Sequence, residues 1–123
     1  MPLILSRHLV QQLFYHAQSA PEAEVCGLLA QDSNQKLRVQ KIRNCASDPR
    51  QRFSMDEAEL VAAMQSMRSA NEELFAIYHS HPSAPAVPSV RDLEEIGYPQ
   101  AWQLIISLNT KGCLLYTSPS PRD

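Results

Sequence analysis

The chain has 123 residues, 44% of them hydrophobic and 20% charged, with a formal net charge of −2 at pH 7. Such a composition suits one globular domain with its own core. The near-neutral balance, with no basic block, excludes nucleic acid and anionic membranes as main partners, and no apolar run reaches the ~18 residues of a membrane span.

The start, MPLILSRHL, has no basic leader and no small-residue cleavage site, so a cytoplasmic protein is expected. Cys26, Cys45 and Cys113 are an odd set with no close pair, which fits free thiols in a reducing compartment. Pro2–Leu5 suits an edge strand. Ser6 is placed to cap a helix that runs to about Ser19, with Leu9, Leu13 and Ala17 on one stripe and Pro21 beyond its end. His8 and His16 on that helix read as surface or boundary residues. Glu24–Ala30, EVCGLLA, reads as a central strand with an acid at its entrance. Asp32–Gln35 is turn material, and Leu37–Asn44 should return as the hairpin partner. Leu37, Val39 and Ile42 break strict alternation, which points to a bulge or a change of face near Gln40.

Asp48–Gln51 reads as a turn and Arg52–Ser54 as a short strand. Ser54 or Asp56 opens a second helix to about Ala70, with Leu60, Met64 and Met67 as its core stripe. Leu74–Tyr78, LFAIY, is a buried strand that ends in His79-Ser80-His81. A loop with Pro82, Pro85 and Pro88 follows. Ser89 is placed to cap a short third helix, with Asp92 in its first turn and Gly97–Pro99 at its end. Trp102–Leu108 is another buried strand. The order predicts a single mixed α/β domain, with a curved sheet between helices. The last stretch, CLLYTSPSPRD, follows a turn at Asn109–Gly112 but gives way to Pro119 and Pro121. It resembles a translated sequencing adapter. Residues 1–112 are therefore expected to be the domain, truncated at its C-terminus, and 113–123 a non-native tail.

Alternate residues of a strand share a face, so His79 and His81 point the same way with Cα atoms roughly 6–7 Å apart. Two imidazoles so placed can converge on one metal ion. The pattern is His79-x-His81, seven residues, Ser89, two residues, Asp92. It resembles the signature of the JAMM (JAB/MPN) zinc metalloproteases, and the resemblance covers nearly all of Ser6–Leu108. It implies an MPN, cytidine-deaminase-like fold and one zinc per chain on His79, His81 and Asp92. It also implies Glu24 as the catalytic base and Ser89 as the donor to the tetrahedral intermediate. A zinc held by three protein ligands keeps a position for water, whose pKa it lowers to ~7.

The implied activity is that of a metallopeptidase or isopeptidase. Its substrate would be a ubiquitin-fold sulfur-carrier protein, cut after a C-terminal Gly-Gly, or a peptide. A non-catalytic MPN scaffold and a two-His-one-carboxylate iron enzyme are the alternatives. Individual residues also keep second readings. Ser89 and Asp92 can serve only as helix caps. Cys26 can approach the metal as a thiolate or fill core space. Glu22 shares the parity of Glu24 and is set aside on the resemblance alone. Glu94 and Glu95 read as a solvated helix face. Ser80 faces away from the histidines and receives no role. Asp48-Pro49 and Arg52-Phe53 resemble a recurring feature of bacterial members, to which the sequence attaches only a turn and a strand start.

Overall fold

Residues 5–82, 101–108 and 113–117 are described in the computed structural model, the last of these as backbone only. The elements run α1 (Arg7–Gln18), β1 (Cys26–Gln31), β2 (Leu37–Ile42), α2 (Glu57–Ser69), β3 (Glu73–His81), β4 (Trp102–Ser107) and β5 (Cys113–Thr117). The expected edge strand at Pro2–Leu5 lies almost wholly, and the third helix wholly, outside the described residues. The strands form one sheet in the order β2-β1-β3-β4-β5. β3 and β4 are parallel and the other pairs antiparallel. β5 takes in residues that the sequence reading sets apart as a tail. No helix among the described residues is long and apolar enough to cross a membrane.

Local chemistry explains both helices. The Ser6 hydroxyl accepts from Leu9 N at 3.1 Å, which supplies one of the partners that a helix start lacks. Leu9, Leu13 and Ala17, spaced by four, are the buried stripe. Asp56, rather than Ser54, caps α2 and accepts from Glu59 N at 2.9 Å. Glu57 and Glu59 in the first turn and Arg68 in the last complement the helix dipole. Asn71 closes the helix at φ 57, where Glu72 N donates to Met67 O at 2.8 Å. Met67 and Ala63 are buried, whereas Leu60 and Met64 are only partly so.

The helices cover opposite faces of the sheet. α1 packs with Val25, Leu29, Ala76, Tyr78, Leu104 and Ile106. α2 packs with Cys26, Leu28, Ala30, Ile42, Ile77 and Ala101. Strands covered on both faces read as continuous apolar runs, as β1 does. The broken alternation in β2 has the same cause. Leu37 and Val39 face α1 while Ile42 faces α2, so the chain changes face without a bulge, and its register with β1 is regular.

The irregularity sits instead in β3. Leu29 pairs with Ala76 but Ala30 with Leu74, which leaves Phe75 as one extra residue. Leu74 belongs to the α2 side, and Phe75 and Ala76 both to the α1 side. Past the bulge, even positions face α1 and odd positions face α2. Arg52–Ser54 does not form the expected strand; an isolated bridge joins Met55, the next residue, to Asn44.

Gly27 shows how tightly the α1 side is packed. A Cβ there would clash with the edge of the fully buried Tyr78 ring, at its hydroxyl, Cζ and Cε2. Gly27→Ala should cost about 1–3 kcal/mol, as overpacking does; a urea midpoint equal to wild type would refute this. The Tyr78 hydroxyl lies 2.7 Å from His16 Nδ1. Burial, then the charge of Lys41, lowers the His16 pKa from 6.5 to about 4. Between those values the unfolded chain binds a proton that the folded one does not. Stability from this group is therefore present above pH 6.5 and lost as pH falls toward 4. His16→Gln, which stays uncharged, should lose less melting temperature than wild type between pH 7 and 5.

Candidate active site

β1 and β3 meet head to tail, and the functional side chains gather where β1 begins and β3 ends. Cys26 pairs with His79. One step outward, Ser80 N donates to Val25 O at 2.9 Å, and Ser80 Oγ accepts from Val25 N at 2.8 Å. Continuing that register sets Glu24 beside His81, on the same face as Cys26 and His79. Glu24, His79 and His81 are 5%, 3% and 4% exposed, so three ionisable side chains share one buried corner. Most charged residues are never buried so deeply without a purpose or a partner.

The two imidazoles converge, with Nε2 atoms 3.2 Å apart. At that distance either one nitrogen donates to the other or both lone pairs face a cation. A tetrahedral zinc with ligand nitrogens at ~2.0–2.1 Å separates two of them by about 3.3 Å. The separation of the pair thus matches the edge of a zinc site, and imidazole nitrogens suit that metal. Among the described residues no third His, Cys, Asp or Glu joins them as a metal-holding group. Ser89 and Asp92, the other residues singled out by the motif, lie outside the described residues.

Phe53 covers His79. The rings stack with centroids 4.6 Å apart and planes 23° apart. This contact supplies a physical account of the Arg52-Phe53 feature. Pro49 supplies another for Asp48-Pro49, since its carbonyl accepts from Glu24 N at 2.6 Å. The Glu24 carbonyl accepts from Asn44 Nδ2 at 2.9 Å. With the Ser80 contacts at Val25, the backbone on both sides of Glu24 is pinned.

Cys26 is a core residue here. Burial, and next the charge of Glu24, pushes its thiol up to about 12, and Sγ donates to Ile42 O at 3.4 Å. Glu22 is exposed in the turn before β1. Ser80 and Asn44 are the residues that sequence reasoning missed. A signal existed for Ser80, because a hydroxyl on the covered side of an apolar strand needs a partner. Ser80→Ala should leave Val25 N buried without an acceptor and cost about 1–3 kcal/mol. Denaturant unfolding of Ser80→Ala beside Ser80→Thr, which keeps the hydroxyl, checks this; equal loss in both would remove the hydrogen bond as the cause.

The family model described as prokaryotic homologs of the JAB domain matches residues 6–117. The chain is 37% identical to a desampylase from Haloferax volcanii over 89 residues, 71% of this chain and 64% of that protein. It is 34% identical to a desampylase from Pyrococcus furiosus over 111 residues, 89% of this chain and 76% of that one. It is 32% identical over 93 residues, 76% of this chain and 62% of the other, to a Thermus thermophilus protein named "Probable TtuB-protein conjugate cleaving protease". The chain therefore spans roughly two thirds of the length of these relatives. Among solved structures, a protein from Desulfitobacterium hafniense is similar, with TM-score 0.73 and 28% identity over 92% of this chain and 88% of that one. A JAB1/MPN domain protein from Archaeoglobus fulgidus shares the fold, with TM-score 0.64 at 16% identity over 98% and 95% of the two chains.

Proposed function

The chain belongs to the family of prokaryotic homologs of the JAB domain, and on that premise we propose that it is a zinc-dependent isopeptidase acting on protein conjugates of a ubiquitin-fold carrier. The observation that carries the reading is the buried corner itself: Glu24 beside two histidines whose Nε2 atoms converge at 3.2 Å. The names of the relatives, two desampylases and a conjugate-cleaving protease, support the substrate class. Free thiols at Cys26 and Cys45 support a cytoplasmic setting.

His79 and His81 would hold the ion, with Asp92 as the third donor by its place in the motif. A zinc ion bound there supplies a Lewis acid that makes water nucleophilic near neutral pH. Glu24 is the base. Its carboxylate takes the proton of the attacking water and returns it to the leaving nitrogen, so the bond breaks without expelling an amide anion. The pinned backbone at Glu24 and Val25 holds that carboxylate in one place, and pre-positioning of this kind is a large part of catalysis. Ser89 donates to the carbonyl oxygen as negative charge develops on it.

The depth of the histidines limits the substrate. A scissile bond must reach side chains that are almost wholly covered. Gly-Gly before the bond suits this, because a chain without side chains can lie close to the protein backbone. The domain takes an extended tail of the carrier and cuts after its C-terminal Gly-Gly.

A carrier fused through Gly-Gly to a reporter tests the proposal. Cleavage should cease with a chelator and return with zinc. Glu24→Gln should keep one zinc per chain and lower turnover by about 10²–10⁴-fold, the usual scale for a general base. Loss of zinc in that variant would make Glu24 a ligand instead. A Leu-Leu fusion cut as fast as the Gly-Gly fusion would rule out the carrier as substrate.

A further inference from the structure

Asn44, two residues beyond β2, spends its whole side-chain amide on the segments that carry the site. Nδ2 donates to Glu24 O at 2.9 Å and to Arg52 O at 3.1 Å. Oδ1 accepts from Ala46 N at 3.0 Å and from Ser54 N at 2.9 Å. A carboxamide has two donor hydrogens and two acceptor lone pairs, so its capacity is full. The partners also fix which end is which, since two carbonyls face the nitrogen and two N–H groups face the oxygen.

Arg52 and Ser54 flank Phe53, the residue stacked on His79. One side chain therefore ties the backbone of Glu24 to the segment that covers a histidine. Its backbone adds the bridge to Met55, and Cys45 N donates to Ser54 O at 2.7 Å. We propose that Asn44 is a positioning residue of the active site, whose two donor hydrogens hold Glu24 in a fixed relation to the Phe53-covered His79. The assignment rests on the isopeptidase reading for its kinetic consequence and on geometry alone for its structural one.

The two halves of the amide have different duties. The acceptor half serves the local turn and Ser54. The donor half reaches the two carbonyls, at positions 20 residues before and 8 residues after it in the chain. Asn44→Asp has nearly the same shape, keeps both acceptors and loses both donors. It also sets a negative oxygen against two carbonyl oxygens. Displacing a catalytic group by about 1 Å can cost ~10²-fold.

The test uses the full chain as wild type, Asn44→Asp, Asn44→Ala and Phe53→Ala, with the Gly-Gly reporter fusion as probe. Asn44→Asp and Asn44→Ala should lower kcat by about 10–100-fold and leave KM within about threefold, at a temperature where circular dichroism shows both folded. A loss of fold strength alone would not move kcat there. Wild-type kcat in Asn44→Asp would overturn the proposal.

A second readout needs no substrate. In wild type the His79 ring protons should resonate upfield, under the Phe53 ring, and Phe53→Ala identifies that shift. In Asn44→Asp the shift should collapse toward the Phe53→Ala value; a wild-type shift overturns the proposal. If wild type does not cut the fusion, the isopeptidase reading fails and the ring shift alone decides about Asn44. If Asn44→Asp does not fold, Asn44→Gln, which moves the amide by one methylene, is read the same way.

Discussion

The site depends on the phase of β3 against β1. Side chains alternate along a strand, so a slip of one residue carries every one of them to the opposite face. Here both faces are packed, one under α1 and one under α2, and no slip is tolerated. Ala76 and Tyr78 must meet α1, which leaves Ile77, His79 and His81 on the other side. The core thereby fixes where the histidines point, and their chemistry needs no separate device to aim it. Ser80, between them, turns its hydroxyl to the start of β1. The same strand thus aims two imidazoles and clamps the peptide that bears the carboxylate.

Around this pair of strands the segment 44–55 acts as a brace. It touches Glu24 through Pro49 O and Asn44 Nδ2, and His79 through Phe53. It has almost no regular structure, so the Asn44 side chain adds four hydrogen bonds to the few backbone pairs that hold it. Polar groups shielded from water are stabilising only when each is satisfied, and the half-buried Asn44 amide meets that condition. The network lies beyond Ile42 and joins the segment 44–55 to Glu24, 20 residues before Asn44.

Much of the fold was legible because its signals are local. Ser6 and the four-residue spacing of Leu9, Leu13 and Ala17 announce α1. The apolar run before His79 announces β3, and two-residue periodicity alone places both histidines on one face. Glu24 was legible only through family resemblance, since nothing local separates it from Glu22; register with β3 is what distinguishes them. The broken alternation near Gln40 allows a bulge or a change of face, and the change of face is what β2 makes. A strand covered on two sides breaks alternation with no irregularity at all, while the true bulge at Phe75 hides inside an unbroken apolar run. Asn44 was invisible for another reason. Its partners are set by tertiary folding, and an asparagine after a strand looks like any turn residue.

The bulge at Phe75 also divides β3 into parts that respond differently to insertions and deletions. Leu74 and Ala76 already pair with adjacent residues of β1, Ala30 and Leu29. Removing the one residue between them would close the ladder into a regular strand and leave both histidines in place. Removing any residue from Ala76 to Tyr78 would break that arrangement: the chain could keep its core contacts or its histidine pair, but not both. Changes in chain length are absorbed on one side of Ala76 and not on the other, so β3 has a boundary for length variation that its uniform apolar sequence conceals.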